Sequence, residues 1–131
     1  MTEAHPTPSA PLASLPPLGG PLDGGTFAGL TTKKDGTHCA VVLLPEQAEG
    51  LTWKKAMNWA VKQGGELPSR PVAALLFANA KSQLKPKWHW TSDEEDASFA
   101  WLCHFSLGHQ YDVHKSYEGS AVAVRLIHLT H

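Results

Sequence analysis

The chemistry-bearing side chains of this chain crowd into its last third. Cys103, His104, His109 and His114 lie close together, and Trp88-His89-Trp90 precedes them. Such donors invite a zinc site, which needs three or four ligands converging tetrahedrally at about 2.0–2.3 Å. The spacing argues against it. Cys103 and His104 are neighbours in an alternating run, so their side chains leave opposite faces of a strand. No HExxH or CxxC pattern occurs. The same opposition separates the two residues as a thiol–imidazole dyad. Asp93-Glu94-Glu95-Asp96 is acidic but lacks the spaced oxygen donors and glycine of a calcium loop. Ser69, Ser92 and Ser116 have no nucleophile-elbow context. Gly19-Gly20 and Gly24-Gly25 match no phosphate loop, because no Lys-Ser/Thr follows them. Neither catalysis nor a metal or other cofactor is expected.

Binding is the chemistry that remains. His109, Tyr111, Asp112, His114, Lys115, Ser116, Tyr117 and Glu118 concentrate between Gly108 and Gly119. Aromatic faces beside planar polar groups suit a glycan, and loops on a rigid scaffold are where binding residues gather. The expected ligand-binding residues are His109, Tyr111, His114, Lys115 and Tyr117, with Trp88 and His89 as neighbours. The tyrosines would stack, and Lys115 would meet an anionic group. His109 and His114 would strengthen anion binding below about pH 6.5, as imidazolium. The competing reading is a solvent-exposed hairpin with ordinary tyrosine packing.

The elements that must position these residues follow from periodicity. Thr26–Thr32 and Thr37–Leu44 read as strands joined through Asp35-Gly36, with Pro45 closing the second. Thr52 caps a helix whose apolar face is Trp53, Ala56, Met57, Ala60 and Val61, and Gly64-Gly65 ends it. Ser69 caps a second helix, with Pro71 in the first turn, that runs to about Ser82 and buries Val72, Leu75, Leu76 and Ala80. From Trp88 onward apolar residues alternate. Phe99, Trp101, Cys103 and Phe105 interleave with Ala100, Leu102 and His104; Gln110–Lys115 follows as another strand; Val122, Val124 and Leu126 interleave with Ala123, Arg125 and Ile127. The fold class is α+β, two helices packed on a twisted, mainly antiparallel sheet. Trp53, Trp59, Trp90 and Trp101 are expected in the core, where truncating a fully buried Trp101 would cost around 3–5 kcal/mol. Arg125, amid an apolar strand, requires a carboxylate or carbonyl partner; a buried structural pair is the leading reading and ligand contact the alternative.

Residues 1–25 stand apart as an arm holding six of the chain's ten prolines. Repeated proline removes backbone donors, so the arm cannot build a sheet or helix alone. Leu12, Leu15, Leu18 and Leu22 could form a strip that docks on the body or on a neighbour. The arm is expected to be dispensable for folding of the 26–131 domain but needed for assembly, as a homo-oligomer or with virion proteins.

Trp53, Ala56, Trp59-Ala60, Gly64-Gly65-Glu66-Leu67-Pro68-Ser69-Arg70 and Leu75-Leu76-Phe77-Ala78-Asn79 form an ordered series. It continues through Trp88-His89-Trp90-Thr91-Ser92, Ala100-Trp101, Phe105, Gly108, Gln110 and Ala121-Val122-Ala123-Val124-Arg125. In order and spacing this resembles the Lcl C-terminal domain family, over Thr26 to Leu129. The resemblance implies a C-type-lectin-like fold of the formylglycine-generating-enzyme type and a prophage-type member. It further implies binding, often to glycans or sulfated polysaccharides, on surface or phage proteins. Two places depart from the family. Pro71-Val72-Ala73 replaces its charged residues, and Val122 stands where a basic residue is common.

Composition bounds the rest. The 131 residues carry 11 Lys and Arg against 12 Asp and Glu, so nothing global favours a nucleic-acid partner. The longest apolar runs, Cys39–Leu44 and Val72–Ala78, are far short of a membrane span, so no membrane insertion is expected. The N-terminus shows no secretory pattern, which implies cytoplasmic synthesis, with release in a virion as one destination. Cys39 and Cys103 read as buried reduced thiols. The expected function is a non-enzymatic, virion-associated or surface module binding a glycan or protein ligand. The alternative is a small intracellular phage accessory protein that binds and inhibits a host protein.

Overall fold

The computed structural model describes residues 9–130. Along the chain these form β1 (Ser9–Pro11), β2 (Pro21–Leu22), β3 (Gly25–Thr32), β4 (His38–Leu51), α1 (Trp53–Lys62) and α2 (Arg70–Ala80). There follow β5 (Trp88–Glu94), β6 (Phe99–His104), β7 (Gln110–His114) and β8 (Gly119–Thr130). The strands make one open, mainly antiparallel sheet in the order β2-β3-β4-β8-β5-β6-β7, with β1 also on β8. The α+β expectation of two helices on such a sheet holds.

β8 is central. One edge pairs with β4 from Cys39–His128 to Leu51–Gly119. Its other edge is divided among β5 at Ser120, Glu66 at Val124, and β1 in parallel register from His128 to Thr130. Glu66 and Val124 exchange two backbone hydrogen bonds of 2.9 and 2.8 Å. Gly65 precedes this contact because a Cβ there would run into the Val124 carbonyl.

The helices cover opposite faces, as strand alternation dictates. On one face Ala56 and Ala60 of α1 share a cluster with Ala121, Ala123, Val42, Leu44 and Trp90. Small residues on both sides let the helix approach the strand closely. On the other face Val72, Ala73 and Leu76 of α2 pack with Val122, Val124, Val41, Cys103 and Phe105. Both cysteines are buried free thiols.

Local departures have physical causes. Pro45 does not close β4, which runs on to Leu51. The proline falls inside a register shift between Leu43 and Gln47, where a missing N–H costs no ladder bond. Thr52 occupies the N-cap of α1 without a side-chain hydrogen bond. The Trp53 amide instead donates to the Lys115 carbonyl at 3.0 Å. Val61 is 69% exposed. The buried line of the last turn runs through Ala60, and Val61 sits about 100° further round. Trp90 is wholly buried, whereas Trp53 and Trp59 are only partly covered. Trp101 is half-buried on the α2 face, so the deletion cost of a core tryptophan does not apply to it.

The expected starts and partners are present elsewhere. Ser69 Oγ accepts the Val72 amide at 3.3 Å, and Asp93 Oδ2 accepts the Arg70 amide at 2.7 Å. Arg125 finds both kinds of partner. Its Nε donates to the Gly64 carbonyl at 3.0 Å, and its Nη1 donates to the Asp23 carboxylate at 2.9 Å and the Asp23 carbonyl at 3.0 Å. The pair is partly solvated rather than buried.

Asp23 belongs to the arm. Of the two docking places considered for the arm, residues 9–25 lie on the body. β1 extends β8, β2 pairs with β3, and Ala10, Leu15 and Leu22 pack against the α1-side cluster. Residues 1–8 lie outside the described part.

A chain beginning at Thr26 should still melt cooperatively but lose roughly 2–4 kcal/mol, from uncovered apolar surface and the unpaired Arg125. Denaturant titration measures it, and an unchanged midpoint would show the arm to be energetically idle. Ser69→Ala should cost about 1 kcal/mol in the same titration.

Candidate functional site

The β5-β6-β7 end of the sheet carries every expected binding residue, and period-two geometry sorts them onto different faces. Register pairs Trp88 with His104, Trp90 with Leu102, and Leu102 with Tyr111. These side chains, with Val113, therefore share the α1 face. Phe99 pairs with His114, Trp101 with Asp112, and Cys103 with both His89 and Gln110, which places that set on the α2 face.

On the α1 face Trp88, Leu102, Tyr111, Val113 and Tyr117 line a cavity of about 280 Å³. Trp88 and Tyr111 rings are 5.6 Å apart and tilted at 59°. Tyr117 comes from the turn after β7 and rests edge-on to buried Trp90, centroids 6.3 Å apart. Trp90 is itself fixed by its indole N–H, which donates to the Leu51 carbonyl at 2.8 Å. Tyr111 and Tyr117 remain 54% and 43% exposed, enough to offer a ring face to a ligand.

Trp88 and Tyr117 also line an adjoining polar cleft with Glu49, Lys87, His104, Glu118 and Ser120. His104 packs edge-on against Trp88 at 4.8 Å. Its Nδ1 accepts the Ser106 amide at 3.1 Å, which puts the proton of the neutral ring on Nε2. Lys85 and Lys87 pair with Glu49, and these two ammonium groups hold its carboxyl below the usual range.

Of the seven expected residues, Trp88, Tyr111 and Tyr117 line this groove. His109 is exposed beside Tyr111, 6.1 Å between rings, but lines neither cavity. His114 is on the other face against Phe99, its Nδ1 engaged by Ser116 at 2.7 Å. Lys115 is not free for an anion. Its ammonium pairs with Glu94, donates to the Ala97 carbonyl at 3.0 Å and sits 4.5 Å from the Trp53 ring centroid. His89 is buried, with Nδ1 2.8 Å from the Lys87 carbonyl and Phe105 4.6 Å away, so no ligand on the groove side reaches it.

Sequence reading missed Leu102, Val113, His104, Lys87 and Glu49 as groove members. Alternation gives His104 and Leu102 a shared face but does not give the pairing of His104 with Trp88. Lys87 and Glu49 had no local signal, since they are 38 residues apart and meet only in the folded chain.

Gly108 shapes the β6–β7 turn. Its φ is +79°, and a Cβ there would come 2.8 Å from the Phe77 ring. Cys103 is wholly buried and burial pushes its thiol pKa up, so it is a poor thiolate. Among the described residues no group of three or more His, Cys, Asp or Glu converges as metal ligands would. No helix among them is long and apolar enough to cross a membrane.

No protein-family model matches the chain, and a search of curated proteins finds no match.

Burial depresses the His89 pKa from 6.5 to about 4. The unfolded chain therefore binds the extra proton first. The His89 contribution is complete above pH 6.5 and is lost as pH falls toward 4, by roughly 3 kcal/mol in all. Melting followed from pH 7 to pH 4 should show this decline, and His89→Gln should flatten it. An equal slope in the variant would assign the acid sensitivity elsewhere.

Proposed function

We propose that this chain is a non-enzymatic, C-type-lectin-like binding module whose aromatic groove holds a glycan. One observation carries the reading: Trp88 and Tyr117 border both an apolar cavity and a polar cleft. A sugar ring has the matching duality, with a C–H face that stacks on an aromatic ring and hydroxyl edges that seek polar partners. Trp88, Tyr111 and Tyr117 supply the ring faces. The His104 Nε2 and the Glu118 carboxylate supply a donor and an acceptor along the adjoining wall, beside the Lys87–Glu49 pair. Fixed neighbours hold the groove in shape, so little ordering entropy is spent on binding.

The resemblance to the Lcl C-terminal domain family supports the lectin-like assignment. So does the arrangement of two helices on a mainly antiparallel sheet. The same resemblance supports a phage or prophage setting on a virion or cell surface. In that setting the arm-side surface would face the larger assembly, while the groove, at the other end of the sheet, faces outward.

The test is a glycan array followed by calorimetry on the best ligand. Tyr111→Ala and Tyr117→Ala should each weaken binding by about 1–2 kcal/mol, five- to thirtyfold, with melting nearly unchanged because both rings are exposed. Normal affinity in both variants would remove the groove from the binding surface. A blank array combined with specific capture of a host protein would favour the intracellular alternative.

A further inference from the structure

The α2 face of the same strands carries a second constellation, and we propose that it is a carboxylate-binding site built on Arg70. Arg70 is the first residue of α2, and its guanidinium lies on Trp101 with Cζ 3.6 Å from the ring centroid. Its Nε donates to Gln110 Oε1 at 2.9 Å, and Gln110 Nε2 donates back to the Arg70 carbonyl at 2.9 Å. The indole fixes the plane of the guanidinium, and the reciprocal pair with Gln110 fixes its direction. Positioning is complete before any ligand arrives.

What this arrangement leaves unused is the Nη fork. Among the described residues no acceptor takes a hydrogen bond from either Nη, and no carboxylate lies within ion-pair distance of the guanidinium. The acidic side chains nearby are turned to other donors. Asp93 Oδ2 accepts the backbone amide of Arg70, Glu95 Oε2 accepts the Trp101 indole N–H at 3.1 Å, and Glu94 pairs with Lys115. Arg70 borders an open cavity whose wall includes Trp101 and a second cation, Lys34.

The chemistry of the fork and of its surroundings selects the ligand. A guanidinium with both Nη groups available matches a planar carboxylate or a phosphate through two parallel hydrogen bonds. The cavity sets Lys34 and Arg70 against Asp93, Glu94 and Glu95. Attraction and repulsion both scale with the charge of the ligand, and Glu94 is already paired with Lys115, so shape rather than charge selects among anions. A planar carboxylate lies in the plane of the guanidinium that Trp101 fixes, whereas a tetrahedral phosphate must hold further oxygens out of that plane, one of them on the indole side, so the site fits a small carboxylic acid. It lies across the sheet from the aromatic groove and does not depend on a ligand there.

The experiment follows the Trp101 indole N–H resonance of the full chain, assigned with Trp101→Phe, during titration with D-glucuronate. Saturable shifts are expected with glucuronate and none with D-glucose, and inorganic phosphate should bind more weakly than glucuronate. N-acetylglycine asks whether the sugar ring contributes: an equal response assigns recognition to the carboxylate alone. Arg70→Lys keeps the charge but loses the fork, and should weaken glucuronate binding roughly tenfold or more. Lys34→Ala, at an exposed position that folding does not require, should weaken it several-fold, and Tyr117→Ala should leave it unchanged. An equal response to glucose, or no saturable shift with any acid, would overturn the proposal. So would undiminished glucuronate affinity in both the Arg70 and Lys34 variants.

Discussion

The backbone of β8 is the partner on which the other elements depend. Buried N–H and C=O groups must be paired, and β8 achieves this with one continuous neighbour and three partial ones. β4 occupies one edge along its length, while β5, the Glu66 segment and β1 divide the other. Three segments distant in sequence are thereby aligned on one strand. The β5-β6-β7 unit joins β8 through a single residue pair, His89 with Ser120. Its position is also set by the hydrogen bond from the Trp90 indole to the Leu51 carbonyl on one face and by Phe105 and Cys103 packed against α2 on the other.

That attachment leaves both faces of the β5-β6-β7 unit partly uncovered. α1 lies on the alanine floor of β8 and stops short of Tyr111 and Tyr117. α2 covers Phe105 and leaves Trp101 half-exposed. Period-two alternation then gives the faces different chemistry. Aromatic and apolar side chains line the α1 face, and the Arg70–Trp101–Gln110 set occupies the other. The polar and aromatic residues of β7, continuous in sequence, serve two surfaces.

What was legible in the sequence was local. Ser69-Arg70-Pro71 marks a helix start because capping and proline act within one turn, and Ala121–Ile127 reveals its two faces because strand alternation is local as well. Pairing at a distance was not legible. The partner of Arg125 is Asp23, 102 residues away, and the partner of Arg70 is Gln110, 40 residues away. Alternation placed Trp101 on the same face as Cys103 and Phe105, which was correct. Its burial depended on how far α2 reaches, which no local pattern records. Lys115 and His89 misled for a related reason. Composition marks a side chain as able to bind, but Glu94 and the Trp53 ring had already engaged the ammonium, and the fold had buried the imidazole. Pro45 was misjudged because a bulge absorbs a proline that a regular ladder cannot.

The central claim, that the aromatic groove is the binding surface, is tested most directly by a chemical-shift map. An isotopically labelled sample would be titrated with a neutral oligosaccharide from the array. Shifts should centre on the Trp88 indole and on the methyl groups of Leu102 and Val113, with the Trp59 indole and the arm unaffected. Shifts centred on the arm or on α1, with the Trp88 indole unmoved at saturation, would contradict it.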